Sequence, residues 1–416
     1  MRTILVTGPG GAGRTTVAAA TALSAAREGR ERVLFLTGDR DVADWFTPGE
    51  GGPAVRRIDS GAHFRAELLA VQERCAAALD LLGAAPLAEE ELTELPGSDR
   101  FALLRALRDA ATGGDGGTGG TGRDSGDSEN GGASGNGGDG VTGGEGPWDL
   151  VVVDLPPLPD AIAVLALPEQ LRRYLRRLLP AERQTARALR PMLAQFAGVP
   201  MPAAWLYETA ARWDADLASV QALIESPATT LRLVAEPGPA AAHALRTARA
   251  GLALHRLAPG TVVANKLLPT TSPDPWLAAL AAQQQAHLKE LYAELGDVHE
   301  LPHLGRAPRS AGDLAPLEPP APTAAPAPAP APEWTVEDRR DEDGVLVWRI
   351  PLPGAAKRDL SLVRRGDELV LTVGPFRRIV PLPSALRRCT VSGAGLADGV
   401  LSVRFTPDPD MWPRTR

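Results

Sequence analysis

Gly8-Pro9-Gly10-Gly11-Ala12-Gly13-Arg14-Thr15-Thr16 lies between a short apolar run, Ile4-Leu5-Val6, and an alanine-rich run, Val17-Ala18-Ala19-Ala20-Thr21-Ala22-Leu23. Strand, glycine loop and helix in that order are the context of a phosphate-binding loop. Glycine lets the backbone close round an anion, so that loop N–H groups and the helix N-terminus point at it. The spacing follows G-x-x-x-x-G-K-[ST] with one departure: Arg14 stands where lysine is expected. Thr15 keeps the hydroxyl that ligates Mg²⁺ in such loops. The stretch therefore predicts a nucleotide site built on Gly8, Gly10, Gly11, Ala12, Gly13, Arg14, Thr15 and Thr16.

Two further strands end in groups suited to that site. Arg32-Val33-Leu34-Phe35-Leu36 reads as a buried strand that runs into Thr37-Gly38-Asp39. Doubly wound sheets place ligand chemistry at such C-terminal strand ends. Leu150-Val151-Val152-Val153-Asp154 is an apolar strand closed by an acid. This is the pattern whose carboxylate faces the loop threonine across a Mg²⁺ shell. Leu155-Pro156-Pro157-Leu158-Pro159-Asp160 follows, and its prolines make it a stiff, non-helical segment.

Composition narrows the class. A chain of 416 residues is long enough for two domains or more. The net charge of −7 argues against a nucleic-acid partner. The two cysteines, Cys75 and Cys389, are too far apart for a C-x-x-C pair, and Cys75 falls on an apolar helical stripe, as a small core residue would. No apolar run approaches a membrane span, and the apolar start is too short for a signal peptide, so a soluble, cytoplasmic protein is expected.

Along the rest of the chain, Gly61 to Leu82 and Phe101 to Ala111 have helical periodicity. Half of residues 113–146 are glycine and most others are polar, a composition that predicts a disordered surface insert. Residues 161–225 read as a helical subdomain. Leu167, Leu171, Tyr174, Leu175 and Leu178 form one stripe, and Leu206, Ala210, Trp213, Leu217, Val220 and Ile224 another. These stripes either pack on each other or form a groove for an apolar helix of a cargo. Strands at 230–235, 261–264 and 298–302 alternate with helices at 240–254 and 283–295, which gives an α/β fold with a mostly parallel, doubly wound sheet over 1–305. A Pro/Ala-rich stretch, 306–333, reads as a linker. Beyond it the period falls to two, with strands at 345–350, 360–363, 368–373, 377–380 and 399–405, and predicts a small all-β sandwich over 334–416.

Together these motifs resemble the ArsA-type family of P-loop ATPases, which includes anion pumps and targeting factors for tail-anchored membrane proteins. The family loop reads G-K-G-G-V-G-K-T-T, and Asp154-Leu155-Pro156-Pro157-Leu158-Pro159-Asp160 is similar in position to its D-T-A-P-T-G-H segment. Leu167-Pro168-Glu169-Gln170-Leu171-Arg172 continues the likeness. The tail, with Gly399-Val400-Leu401, resembles the small-heat-shock-like (α-crystallin-like) sandwich that some bacterial members carry. The resemblance implies ATP and Mg²⁺ as ligands, with Thr15 and Asp154 on the metal, Asp39 orienting the attacking water, and Asn265 reading adenine. It implies a homodimer, or a heterodimer with an intact paralogue, and a hydrophobic protein client, a membrane partner or an anion.

The departures bear on catalysis. The family uses two loop lysines, here Arg14 and Pro9, and the switch segment lacks its Thr, Gly and His. They imply weak hydrolysis, and leave open a non-catalytic half of a heterodimer and a holdase-type chaperone scaffold.

Overall fold

The computed structural model describes residues 1–29, 31–47, 51–74, 76, 79–80, 85–112, 148–179, 204–321 and 333–411. Cys75 and the glycine-rich insert lie outside them.

Seven strands form one sheet: β1 (Arg2–Thr7), β2 (Val33–Thr37), β3 (Ala54–Arg57), β4 (Leu150–Asp154), β5 (Thr229–Ala235), β6 (Pro259–Leu267) and β7 (Val298–Pro302). Their order is β3-β2-β4-β1-β5-β6-β7, and every pairing is parallel. The strands are apolar on both faces because both are covered. Ile4, Val6, Phe35, Leu150 and Val152 pack on one side, and Leu5, Leu34, Leu36, Val151 and Val153 on the other.

Helix α1 (Arg14–Arg27) covers the first face. Its five buried alanines, Ala18, Ala19, Ala20, Ala22 and Ala25, present little bulk to the sheet. The expected linker does not begin at 306: residues up to 321 form a strap over the same face. Leu314 and Leu317 are buried there in the α1 core. The buried Arg232 of β5 donates to the Thr21 hydroxyl (2.6 Å) and to the Pro320 carbonyl (2.9 Å), tying strand, helix and strap together. Two leucines in a Pro/Ala-rich stretch and the bond from Arg232 to Pro320 anchor it.

The short α2 (Arg40–Ala43) follows β2. The second face carries α3 (Ser60–Arg74), α4 (Ser98–Thr112), α5 (Asp160–Leu178), α6 (Ala204–Ile224), α7 (Pro239–Leu254) and α8 (Pro275–Leu295). α3 buries none of its residues, against the apolar stripe expected there, because it forms an outer layer on α4. The α5 stripe is also displaced. Ala161, Ile162, Val164, Leu165, Ala166 and Pro168 are buried, while Tyr174 and Leu178 are exposed. Val220 and Ile224 of α6 are buried as expected, but Trp213 points outward.

The C-terminal strands make two antiparallel sheets. One is β10 (Leu360–Arg365), β11 (Glu368–Val373) and β12 (Phe376–Pro381); the other has the order β13-β14-β9-β8, from β13 (Cys389–Ala397), β14 (Val400–Pro407), β9 (Val345–Pro351) and β8 (Thr335–Arg339). Edge strands β8 and β13 carry no strong alternation of apolar residues and were not expected. This sandwich docks on α5 and α7 and shares their core. Arg173 holds Glu368 through two hydrogen bonds (3.0 and 2.6 Å), and Arg378 pairs with Glu169 (3.1 Å) while donating to the Leu254 carbonyl (2.9 Å). The Phe376 ring lies on Gly251, where a Cβ would come within 2.5 Å of it.

Gly251→Ala should therefore destabilise the protein even though alanine favours the helix. Overpacking of this kind costs about 1–3 kcal/mol, against a helix gain of up to ~1 kcal/mol. A lower denaturation midpoint in urea is the expected result, and an unchanged or higher one would mean that the Phe376 contact yields freely.

Candidate functional site

β4 and β1 run side by side with Asp154 in register with Val6, so the acid ends up beside the start of the glycine loop. The loop is boxed in from β5 and β6. A Cβ on Gly8 would sit 1.9 Å from the Val234 carbonyl oxygen, and one on Gly13 would meet Asn265 Nδ2 at 2.4 Å. Gly13 also has φ +82°, a left-handed conformation that glycine adopts without strain. On the other side of the loop, a Cβ on Gly10 or Gly11 would touch nothing within 4 Å. Gly13 precedes α1 without a side-chain cap, which leaves the first N–H groups of that helix for a ligand. The arrangement is a cradle with a rigid back and an open mouth, and it fits an anion.

Asn265 and Lys266 form much of the back. Asn265 is 4% exposed and donates through Nδ2 to the Ala12 carbonyl (2.9 Å). Lys266 Nζ donates to the Gly11 carbonyl (2.6 Å) and pairs with Glu236 (3.0 Å). Its backbone has φ +61°, an uncommon conformation for a residue with a side chain. Two consecutive side chains thus hold two consecutive loop carbonyls. Sequence reading picked out Asn265 for a base; its bond here is to the loop.

Asp154 is largely withdrawn from solvent. Its side chain is 8% exposed. Oδ2 accepts from the Thr37 hydroxyl (3.1 Å), and the same hydroxyl oxygen accepts the Asp39 N–H (3.1 Å). Oδ1 is buried without a hydrogen-bond partner, and so is Arg14 Nε, 4.0 Å away. Burial pushes the carboxyl up to about 6; the Thr15 hydroxyl, the Arg14 charge and the Thr37 hydroxyl pull it back, and Asp39 adds a small upward push. The Thr15 hydroxyl is near enough to the carboxyl to draw its titration down, while Oδ1 keeps no hydrogen-bond partner. An orphaned carboxylate oxygen next to a threonine hydroxyl is the oxygen-donor chemistry that Mg²⁺ takes, so these residues fit that ion. Asp39 is exposed at the rim, where Oδ1 caps α2 by accepting the Val42 N–H (3.1 Å).

The proline segment after Asp154 is fastened to the loop strand. Leu155 N–H donates to Val6 (2.9 Å), Leu158 N–H to Gly8 (3.1 Å), and the Thr7 hydroxyl to Pro156 (2.8 Å). Thr37, Glu236 and Lys266 are site residues that pattern reading did not single out. Their only sequence signal is position, immediately at or after the C-terminal end of a strand.

Comparison with known proteins agrees with the fold. A family model described as anion-transporting ATPase matches residues 1–115 and 141–304. Another, described as the HSP20-like domain found in ArsA, matches 343–405. The chain is 52% identical to the uncharacterized protein SCO2128 of Streptomyces coelicolor, covering 100% of both chains. It is 28% identical to protein Rv2184c of Mycobacterium tuberculosis, over 99% of this chain and 97% of that one. It is 24% identical to the putative arsenical pump-driving ATPase 1 of Aquifex aeolicus, over 93% and 95% respectively.

The buried acid makes stability depend on pH. With its carboxyl raised to about 6, the folded nucleotide-free protein keeps a proton that the unfolded chain loses at lower pH. Stability therefore falls as pH rises from the ordinary aspartate range to about 6, and the loss is complete above it. Asp154→Asn should be more stable than the native protein above that pH, by about 3 kcal/mol, with no gain in the acid range. Denaturation midpoints measured across pH 4–8 check this, and parallel curves for the two proteins would refute it.

Proposed function

The chain belongs to the anion-transporting ATPase family of the ArsA type, and we propose that this member binds ATP mainly as a conformational ligand and hydrolyses it slowly. The observation that carries the reading is the glycine cradle, braced from behind by Asn265 and Lys266 and open in front of Gly10 and Gly11. Loop N–H groups and Arg14 take the phosphates. Thr15 and Asp154 would hold any Mg²⁺ that accompanies the nucleotide, and the ion would neutralise charge on the phosphate oxygens. In this reading Asp39, exposed just past the end of β2, orients the water, and the base-reading role that the family gives to Asn265 would require it to leave the Ala12 carbonyl it holds here.

Slow hydrolysis follows from the cations the chain lacks. Lysine is absent at both Pro9 and Arg14, and each lost transition-state contact is worth roughly 3 kcal/mol, or about 10²–10³ in rate. The coupled task we propose is handling of an apolar protein client by the helical layer, where Leu178 and Trp213 are 76% and 53% exposed. Two cysteines do not supply a thiolate trap for an oxyanion such as arsenite, which weighs against a pump of that kind.

Pro9 favours a second reading. A subunit without a donor at that position cannot complete a neighbour's site, so the protein would act as the non-catalytic half of a heterodimer. Gel filtration with and without an intact paralogue separates the readings, since a shift to a dimer only in the mixture supports the second.

Isothermal titration tests the first. The native protein should bind ATP, and Gly13→Ala, whose Cβ meets Asn265, should weaken binding by about tenfold or more. No heat at millimolar ATP would end the nucleotide reading.

A further inference from the structure

A phosphate-binding loop needs a link between its buried acid and the ligand. Ordinarily a hydrated Mg²⁺ provides it, placed between the acid on one strand and the phosphate oxygens. The lysine of the loop is a separate point charge on the phosphates. In this chain one residue is placed to serve both ends. Arg14 lies at the first position of α1, and 22% of its side chain is exposed. Its buried nitrogen, Nε, faces the unpartnered Oδ1 of Asp154 at 4.0 Å. That is the same oxygen that a metal shell would use. The second oxygen is already taken by Thr37.

We infer that Arg14 is the built-in counter-cation of this site: its guanidinium bridges Asp154 and the bound phosphates, so that nucleotide binding does not require Mg²⁺. The inference rests on the nucleotide reading above and specifies how that site is neutralised. The chemistry of the side chain supports it. Guanidinium is planar and always charged, with five donors in a fork, so one edge can face a carboxylate while the other meets phosphate. A lysine ammonium offers one nitrogen on a flexible stem and cannot span both groups in the same way. On this account the departure from the loop motif replaces a diffusible cation with a covalent one.

The test is titration of ATP and ADP into the full-length protein in Mg²⁺ buffer and again in EDTA. The native protein should show affinities within about threefold in the two buffers. Arg14→Lys conserves charge, so it should leave the fold intact while restoring the ordinary division of labour. Its affinity should fall by about tenfold or more in EDTA. Native binding that collapses in EDTA would overturn the bridging role while leaving the nucleotide reading standing. So would an Arg14→Lys variant as indifferent to metal as the native chain. Absence of binding by the native protein in both buffers would instead remove the nucleotide reading, and the role of Arg14 with it.

Discussion

An acid at the end of the central strand β4, its side chain buried with one oxygen unmatched, is the constraint around which the α/β half is arranged. Burying a carboxylate is costly unless something compensates it. The fold supplies partial compensation from two chain segments, Thr37 at the end of β2 and Thr15 and Arg14 at the start of α1, and none from β4 itself. What remains uncompensated is directed toward the glycine loop. The parallel sheet makes this possible, because strands covered on both faces bring their C-terminal ends to one rim, and the β4–β1 register sets acid and loop side by side.

Much of this was legible in the sequence because it depends on local patterns. The loop is a contiguous motif, and the strands at 33–37 and 150–154 are apolar runs bounded by polar or turn residues. The small sandwich showed itself by alternation. What was not legible depends on neighbours distant in sequence. Lys266 reads as an ordinary turn lysine until β6 is placed beside the loop, with Glu236, just past the end of β5, at 3.0 Å. Leu314 and Leu317 look like stray leucines in a linker until α1 offers them a surface. The stripe on α5 was misplaced for the same reason: periodicity finds an apolar face but does not say which partner covers it, and here Ala161 to Pro168 meet the core while Tyr174 and Leu178 do not.

The sandwich adds a consequence for how the halves communicate. α5 begins at Asp160, directly after the proline segment that is hydrogen-bonded to Val6 and Gly8, and it carries Glu169 and Arg173, which grip β12 and β11. One helix therefore joins the loop strand to the C-terminal domain. The Phe376–Gly251 contact and the shared core make that joint a packed interface, where small shifts are resisted until a different packing becomes available. It also covers the β12 side of the sandwich, so a holdase role would have to use other strands.

The pattern of retained and lost residues follows one energetic distinction. Loop amides, glycines that allow close approach and a cation at Arg14 all act on phosphate as it stands in the ground state. The lysine replaced by Pro9, and the compact ammonium replaced by Arg14, belong to the groups that oppose charge as it moves during transfer. Interactions made equally in ground and transition states give affinity without rate, and only those stronger in the transition state give rate. A chain that keeps the first set and sheds the second is suited to the proposed use of ATP as a conformational ligand more than to turnover, with a loop braced by Lys266 and joined through α5 to a docked domain.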